Sequence, residues 1–256
     1  MKLSLATWRE VERYLTRSKG VVVPIGSTEQ HGPTGLIGTD AICARAVAEG
    51  MTERTGALLA PTIELGVAQF NLGFPGTVSV RATTLMALVR DYVDSLARNG
   101  FERFYFLNGH GGNIAPVKAA FQDLYAEHSL GRGGARTIRC RLRSWWELPT
   151  VDRMRRELFG DWEGMHVTPS EVAITQAVHP GLVGRAADAP PRKLTAEFLR
   201  DHAGDNHYDA ATHRREFPDG RVGSDPSLAT PELGARLLEA AIADSTVDYE
   251  AFLNEA

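Results

Sequence analysis

Three side chains of types that commonly bind metal ions lie close together in one glycine-rich segment. Glu29, His31 and Asp40 all follow the strand-like apolar run 21–25. Carboxylate oxygens and imidazole nitrogens are ligands that divalent cations such as Zn²⁺ take in proteins. A loop at the end of a buried strand can hold such groups around one point. The pattern therefore indicates a metal-dependent hydrolase.

A second glycine-flanked histidine repeats this arrangement. The strand-like run 103–107 leads into the segment 108–113, which reads Asn-Gly-His-Gly-Gly-Asn and contains His110. Further along, His166 and Glu171 stand five residues apart. A proline between them, in the first turn of a helix, would turn Glu171 inward. The sequence thus offers five to six contributors to one site.

Simpler roles exist for single members of this set. Asp40 directly precedes the helix-like segment 41–51 and is typical of a helix cap. His110 could be a hydrogen-bonded core histidine, and the glycines around it could serve tight turns. These interpretations do not explain why each group of polar residues follows an apolar run, so a shared site is the better hypothesis.

Composition and length limit the classes of protein to which the chain can belong. Its 256 residues carry a net charge of −4, with 43% hydrophobic and 23% charged residues. We therefore expect a small-molecule substrate, with neither nucleic acid nor a membrane as partner. The two cysteines lack CxxC spacing, so no zinc ribbon is expected. Without a secretion signal or an apolar run of ~18 residues, a cytoplasmic location is expected.

Strand-like and helix-like segments alternate along much of the chain. This alternation predicts the α/β class, with a single three-layer α/β/α domain over 1–256 and a mostly parallel sheet. Ligands of such folds bind at the carboxyl ends of strands, where Glu29 and His110 lie. The strand-like runs are 20–25, 57–63, 103–107 and 136–142, and the helix-like segments are about 40–54, 82–99, 113–128 and 170–178.

The segment 181–226 is polar and rich in turn-forming residues. Long irregular segments of this kind often cover active sites or build subunit contacts. His207 and His213 lie within it, where solvated or interface roles are more typical than metal binding. A closing helix is predicted near 231–243.

Together these motifs resemble the creatininase (creatinine amidohydrolase) family over about residues 25–235. The resemblance implies an α/β fold with a two-metal site, hydrolysis of amide or related C–N bonds, and homohexamers assembled from dimers. The motifs that carry it are Gly26-x-x-Glu29-Gln-His31-Gly32 with Gly38-Thr39-Asp40, Phe74-Pro-Gly-Thr-Val-Ser79, Asn108-Gly-His110-Gly-Gly-Asn113 and His166-x-x-x-x-Glu171.

The resemblance also implies which side chains hold two divalent ions. One ion would take Glu29, Asp40 and His110, and the other His31, Asp40 and Glu171, so that Asp40 bridges them. Zn is the expected metal, with Mn or Fe as alternatives. Two such ions would share a water, lower its pKa and offer the resulting hydroxide to a carbonyl carbon.

Two further roles come from the same resemblance. His166 matches the family's catalytic histidine and would give the leaving amine its proton, although a solvated loop histidine is the alternative. Trp162 matches a tryptophan that closes over a small flat substrate, with plain packing as the alternative. Trp145 and Trp146 could wall the pocket as well, or anchor the core or a subunit contact.

The chain departs from true creatininases after His110. Gly111 and Gly112 stand where those enzymes carry a tyrosine and a glutamate, so one ligand of the creatininase site is absent. Glu171 can supply a carboxylate from another segment, and a pocket lined by two glycines would be wider. Thr34 replaces a second histidine found in relatives. Creatinine itself is therefore not the expected substrate.

The resulting hypothesis is an amidohydrolase that cleaves a C–N bond of a small amide, formamide or cyclic amide. One alternative keeps the metal pair but opens the ring of a cyclic polyol-derived ketone, since hydroxide delivery and carbonyl polarisation serve both reactions. The other alternative is a non-catalytic metal-binding scaffold.

Overall fold

The computed structural model describes residues 1–131, 138–182, 190 and 192–255. Within these ranges no helix has both the length and the apolar composition to cross a membrane.

The strands are β1 (Gly20–Ile25), β2 (Leu58–Leu59), β3 (Arg103–Asn108) and β4 (Arg139–Ser144). The α-helices are α1 (Trp8–Leu15), α2 (Thr39–Thr55), α3 (Ala82–Arg98), α4 (Ile114–Ser129), α5 (Pro149–Phe159), α6 (Pro169–Val178), α7 (Ala196–Asp201), α8 (Ala210–Glu216) and α9 (Pro231–Leu253).

The four strands form one parallel sheet in the order β2-β1-β3-β4. Ile25 at the end of β1 pairs with Asn108 at the end of β3, which in turn pairs with Ser144 at the end of β4. The carboxyl ends of these strands therefore lie side by side at one edge of the sheet. The loops that leave this edge carry the predicted ligands.

Helices cover both faces of the sheet because successive strand residues point to opposite sides. Val21, Val23 and Ile25 belong to a core that contains residues of α3 and α4. Val22 belongs to a second core, which contains residues of α2, α5, α6 and α9. The predicted three-layer α/β/α arrangement with a parallel sheet is thus confirmed.

Several predicted boundaries were wrong. Only Leu58–Leu59 of the run 57–63 forms a strand, because Pro61 has no backbone N–H to donate. An isolated bridge between Ile25 and Ile63 continues the pairing beyond that proline. The run 136–142 becomes β4, which ends at Ser144; residues 136 and 137 lie outside the described residues.

Two expectations for the C-terminal part also change. The closing helix extends beyond 243 to Leu253, because Tyr249 and Phe252 pack into the second core. His213 is buried, not solvated, with its ring centroid 4.9 Å from that of Phe70. The segment 181–226 contains α7 and α8, while residues 183–189 and 191 lie outside the described part of the chain.

Helices α6 and α9 make backbone contact at a glycine. A Cβ atom on Gly234 in α9 would clash with the carbonyl oxygen of Ala173 in α6. Ala173 lies two residues after Glu171, one of the predicted ligands. The position of Glu171 relative to the sheet therefore depends on the absence of a side chain at residue 234.

We predict that Gly234→Ala lowers the free energy of unfolding by about 1–3 kcal/mol, because a backbone carbonyl cannot move aside without shifting α6. Thermal unfolding followed by circular dichroism measures this. Gly50→Ala is the matched control, since the atoms nearest to its Cβ belong to the Ile242 side chain and not to the backbone. The prediction is contradicted if both variants unfold at the same temperature.

Candidate functional site

Five buried side chains converge where β1 and β3 leave the sheet. Glu29 and His31 lie in the loop after β1, and His110 follows β3. Asp40 lies in the first turn of α2 and Glu171 in the first turn of α6. Their exposed fractions are 0% for Glu29 and His31, 3% for Asp40, 2% for His110 and 9% for Glu171. The sequence therefore folds all five predicted ligands into one cluster.

Two glycines allow the strand ends to approach α2 closely. A Cβ on Gly26, directly after β1, would clash with the backbone nitrogen of Ala41. A Cβ on Gly109, directly after β3, would clash with the carbonyl oxygen of Asp40. The glycine-rich loops thus bring the first turn of α2 between the two strand ends, which places the Asp40 carboxylate at the centre of the cluster.

The two oxygens of Asp40 face two different histidines. Asp40 Oδ1 lies 3.1 Å from His31 Nε2, and Oδ2 lies 3.3 Å from His110 Nδ1. Asp40 does not cap its helix: the N-cap residue of α2 is Gly38, which makes no side-chain capping bond. The carboxylate is therefore free to serve two ligand groups at once.

Glu29 and Glu171 complete one group on each side of Asp40. Glu29 Oε1 lies 3.3 Å from His110 Nδ1, and Glu171 Oε1 lies 3.8 Å from His31 Nε2. Two triads result, Glu29–Asp40–His110 and His31–Asp40–Glu171, and the ligand atoms within each triad lie within 4.8 Å of one another. Each triad has the donor types of a divalent-metal site.

Each histidine of the cluster is oriented by a backbone carbonyl. The ring N–H that points away from the carboxylates donates to a main-chain oxygen, which fixes the ring and directs the other nitrogen inward. The bonds run from His31 Nδ1 to Glu29 (3.1 Å), from His110 Nε2 to Val67 (3.0 Å) and from His166 Nε2 to Gln30 (2.8 Å).

The carboxylates lack hydrogen-bond donors that would compensate their burial. Both carboxylate oxygens of Glu29 and Oδ2 of Asp40 are buried without a hydrogen-bond partner among the described residues. Buried anionic oxygens are costly unless a positive charge balances them. A bound cation would provide that balance, so the donor set fits a metal site.

The pKa values reflect the same excess of negative charge. Burial alone would lower the pKa of His31, but the charge and hydrogen bond of Asp40, followed by the charges of Glu171 and Glu29, raise that pKa to about 10. Burial would raise the pKa of Asp40, yet the charges of His31 and His110 hold it at about 2. His31 and His110 thus carry protons that a metal cation would displace on binding.

His166 lies beside this cluster on strained backbone. Its Nδ1 is 3.6 Å from Glu29 Oε1, and its ring centroid is 4.6 Å from that of His31. Burial, followed by the charge of His31, lowers the pKa of His166 to about 3, so the imidazole is neutral. The next residue, Val167, has a φ of 58°, a conformation that β-branched residues rarely adopt. The fold thus holds His166 at a cost in backbone strain.

A cavity of about 210 Å³ opens beside Asp40, His110, His166 and Glu171. Its volume suits a small molecule or the end of a longer one. The aromatic and charged residues of its wall are Trp145, Trp146, Glu147 and Arg155. The wall therefore combines aromatic surface with charge next to the ligand cluster.

Trp162 is not among the residues that line this cavity. Lys193 Nζ lies 5.0 Å from the centroid of its ring, in a partly exposed position. Trp145 and Trp146 lie at the cavity instead. The structure thus brings the predicted ligands and His166 together and leaves Trp162 apart from them.

Asp205 reaches the cluster without having been predicted. Its Oδ2 lies 3.8 Å from His110 Nδ1, and its side chain is 11% exposed. Burial raises the pKa of Asp205 to about 6. The Asp205 carboxylate also occupies the space beside Gly111, so the glycine pair does not widen the pocket there. No strand-like run precedes Asp205, so the signal that revealed Glu29 and His110 was missing.

Comparison with known proteins places the chain among characterised hydrolases. A family model described as "Creatininase: Creatinine amidohydrolase" matches residues 4–247. A creatinine amidohydrolase from Pseudomonas putida is 31% identical over 197 residues, which cover 72% of this chain and 75% of that protein. A mycofactocin precursor peptide peptidase from Mycolicibacterium smegmatis is 42% identical over 106 residues, 39% of this chain and 42% of that protein. A 3-dehydro-scyllo-inosose hydrolase from Thermotoga maritima is 30% identical over 106 residues, 41% of this chain and 34% of that protein.

Solved structures share the fold along the whole chain. A crystal structure of a creatinine amidohydrolase superposes with a TM-score of 0.84 at 24% identity, covering 100% of this chain and 98% of that one. A creatininase variant in a Zn–Zn form gives a TM-score of 0.82 at 25% identity over 99% of this chain and 98% of that one. An Mn form of creatininase gives 0.83 at 24% identity over 99% of both chains.

We predict that Gly109→Ala lowers the free energy of unfolding by about 1–3 kcal/mol, because the new methyl group pushes the first turn of α2 away from β3. Urea unfolding of the metal-free protein measures the change. Gly38→Ala is the control at the start of the same helix, where a Cβ would lie 3.6 Å from Ile42 Cδ1, an ordinary contact. Equal stability of the two variants would show that the close approach at residue 109 does not matter.

Proposed function

The chain belongs to the creatininase family of hydrolases, and from that premise we propose that it is a metal-dependent amidohydrolase acting on a small amide, formamide or cyclic amide. The observation that carries the proposal is the buried ligand cluster in which both Glu29 oxygens and Oδ2 of Asp40 lack hydrogen-bond partners among the described residues. A bound cation would balance the charge on these buried oxygens, which supports a metal site.

We propose that the cluster holds two divalent ions. Glu29, Asp40 and His110 would form the first metal position, and His31, Asp40 and Glu171 the second, with Asp40 shared between them. Carboxylate and imidazole donors suit Zn, Mn and Fe, and Zn is proposed first. The Zn–Zn and Mn forms of creatininase structures support this choice of metals.

The proposed chemistry divides between the metals and the protein. Two divalent ions this close supply an activated water and polarise the carbonyl oxygen of the substrate. His166 would carry the proton that the leaving amine needs: its Nδ1, which faces the cluster while its Nε2–H is held by the Gln30 carbonyl, would take a proton from the attacking water and then give it to the amine. The indole surface of Trp146, which is partly exposed, would bound the substrate within the cavity, while Trp145 packs into the second core.

Trp162 remains a proposed substrate contact. Gly160 and Gly164 flank it, with φ values of 52° and 64°. Glycines in left-handed conformation can act as hinges for the short segment between them. Trp162 would contact substrate after movement of this segment towards the cavity, which fits the role of a residue that closes over the substrate.

A ring-opening hydrolase of a cyclic polyol-derived ketone is the second candidate reaction. The observation that favours it is the similarity to the Thermotoga maritima inosose hydrolase. The same metal pair and the same cavity would serve, so the products distinguish the two: hydrolysis of an amide releases an amine, whereas ring opening breaks a C–C bond. A non-catalytic scaffold is the least supported reading, since the shared ligand Asp40 and the buried His166 are both in place.

The assembly and location of the protein are also proposals. We propose that residues 1–256 form one domain that assembles into a homo-oligomer, with a hexamer as the first expectation. Leu5 is 82% exposed and Trp8 is 67% exposed near the N-terminus, which gives apolar surface for a subunit contact. Light scattering would compare the mass in solution with that of the 27.9 kDa chain. A cytoplasmic location stays a prediction.

Asp40, the ligand shared by both proposed metal positions, allows a direct test of the metal site. Purified wild-type protein supplied with Zn, Mn or Fe should contain about two equivalents of metal per chain, and Asp40→Ala should lose both. Elemental analysis after gel filtration measures this. Asp152→Ala is a matched control, because Asp152 also lies in the first turn of a helix but pairs only with exposed Arg156. Wild-type protein that takes up no metal would overturn the two-metal proposal.

The second prediction separates proton transfer from metal binding. His166→Ala should keep its metal content but lower kcat by about 10²–10⁴-fold, because the leaving amine loses its proton donor. Turnover is measured on a panel of small amides, with metal content determined on the same samples. His179→Ala, at the other end of α6 and outside the cavity lining, should retain wild-type turnover. Unchanged turnover in His166→Ala would remove this residue from the mechanism.

A further inference from the structure

One carboxylate at the first metal position comes from a distant part of the chain. Asp205 follows α7, yet its Oδ2 lies 3.8 Å from His110 Nδ1. The same nitrogen lies 3.3 Å from Glu29 Oε1 and 3.3 Å from Asp40 Oδ2. Three carboxylates therefore surround the inward nitrogen of His110, and the resemblance-based ligand set accounts for only two of them.

The glycine pair after His110 provides the space that Asp205 occupies. A Cβ on Gly111 would clash with the Asp205 carboxylate, so any larger residue at position 111 would displace it. Burial raises the pKa of the same carboxylate overall, while the nearby backbone of Gly112 acts to lower that pKa. The loop after β3 thus accommodates the Asp205 side chain and orients it towards His110.

The backbone at Asp205 also indicates a specific role. Asp205 has a φ of 56°, and among the described residues only Val167 shares a positive φ without being glycine. Left-handed backbone costs roughly 1–2 kcal/mol for most residues with a Cβ and less for aspartate, whose short polar side chain can hydrogen-bond locally. The side chain is 11% exposed and lies next to two anionic ligands. Strain and charge repulsion both oppose this placement, and a cation at the first position would offset both.

We propose that Asp205 is an additional carboxylate of the first metal position and strengthens cation binding there. The proposal rests on the two-metal site described above and extends it to the segment between α7 and α8. The second position, formed by His31, Asp40 and Glu171, lies on the other side of Asp40 and should not depend on Asp205. The effect of Asp205 is therefore confined to one of two ions.

Two substitutions separate a metal-binding role from a structural one. Asp205→Asn keeps the size of the side chain and removes its charge. Asp205→Gly removes the carboxylate and suits the left-handed backbone, so the metal-free protein should unfold at the same or a higher temperature. In both variants the affinity for the ion at the first metal position should fall by about tenfold or more, while the ion at the second position should bind as in wild type.

The measurement is calorimetric titration of chelator-treated protein with Mn²⁺ and with Zn²⁺, together with thermal unfolding of the metal-free samples. Asp201→Asn, an exposed aspartate at the end of α7, is the control and should bind both ions normally. The absorption spectrum of Co²⁺-loaded protein gives a second readout, because loss of a carboxylate near the ion changes its ligand field.

The outcomes distinguish the role of Asp205 from the existence of the two-metal site. Two ions bound with wild-type affinity in both Asp205 variants would overturn the role of Asp205 and leave the two-metal site intact. Loss of binding only in Asp205→Gly, accompanied by a lower unfolding temperature without metal, would also overturn it, because the residue would then be structural. Failure of the wild-type protein to bind any metal would instead refute the proposed function.

Discussion

The burial of several carboxylates at one edge of a parallel sheet is the constraint on which this structure depends. Glu29, Asp40 and Glu171 lie in a low-dielectric interior, where anionic groups are unstable without positive charge nearby. Protons on His31 and His110 supply part of that charge, as their raised pKa values show. The strand ends, the first turns of two helices and the surrounding glycines all serve to bring these opposite charges into one small volume.

Backbone geometry determines much of how the histidine rings are oriented. His31, His110 and the neighbouring His166 each donate to a main-chain carbonyl, so the path of the chain helps to set the orientation of the three rings. Gln30 connects His166 to more distant parts of the chain. Its carbonyl accepts a hydrogen bond from His166, while its side-chain amide donates to Asn71 and to the carbonyl of Gly220. The segment before α9 is therefore connected to the ligand loop through one residue.

The sequence predicted the parts of this site that depend on local patterns. Glu29 and His110 were identifiable because each follows a buried strand through a glycine-rich loop, and parallel strands end at the same edge. The strand run 57–63 was overextended because alternation alone ignores the missing donor of Pro61. Asp205 reaches His110 by a contact between residues far apart in the chain, which no short pattern encodes. The cavity wall differs from the one expected from the sequence for the same reason, since tertiary packing places Trp145 at the cavity and Trp162 elsewhere.

Strained backbone occurs in the described chain at Val167 and Asp205, and both positions adjoin the cluster. Such conformations persist only where surrounding contacts determine them. At Val167 those contacts are visible: the Ser224 hydroxyl donates to the His166 carbonyl at 2.6 Å, and the Val222 N–H donates to the same oxygen at 3.3 Å. The segment that ends at Ser224 thus holds the proposed proton carrier, as the segment at Asp205 reaches the proposed first metal position. The irregular region between α6 and α9 is therefore part of the site and not merely its cover.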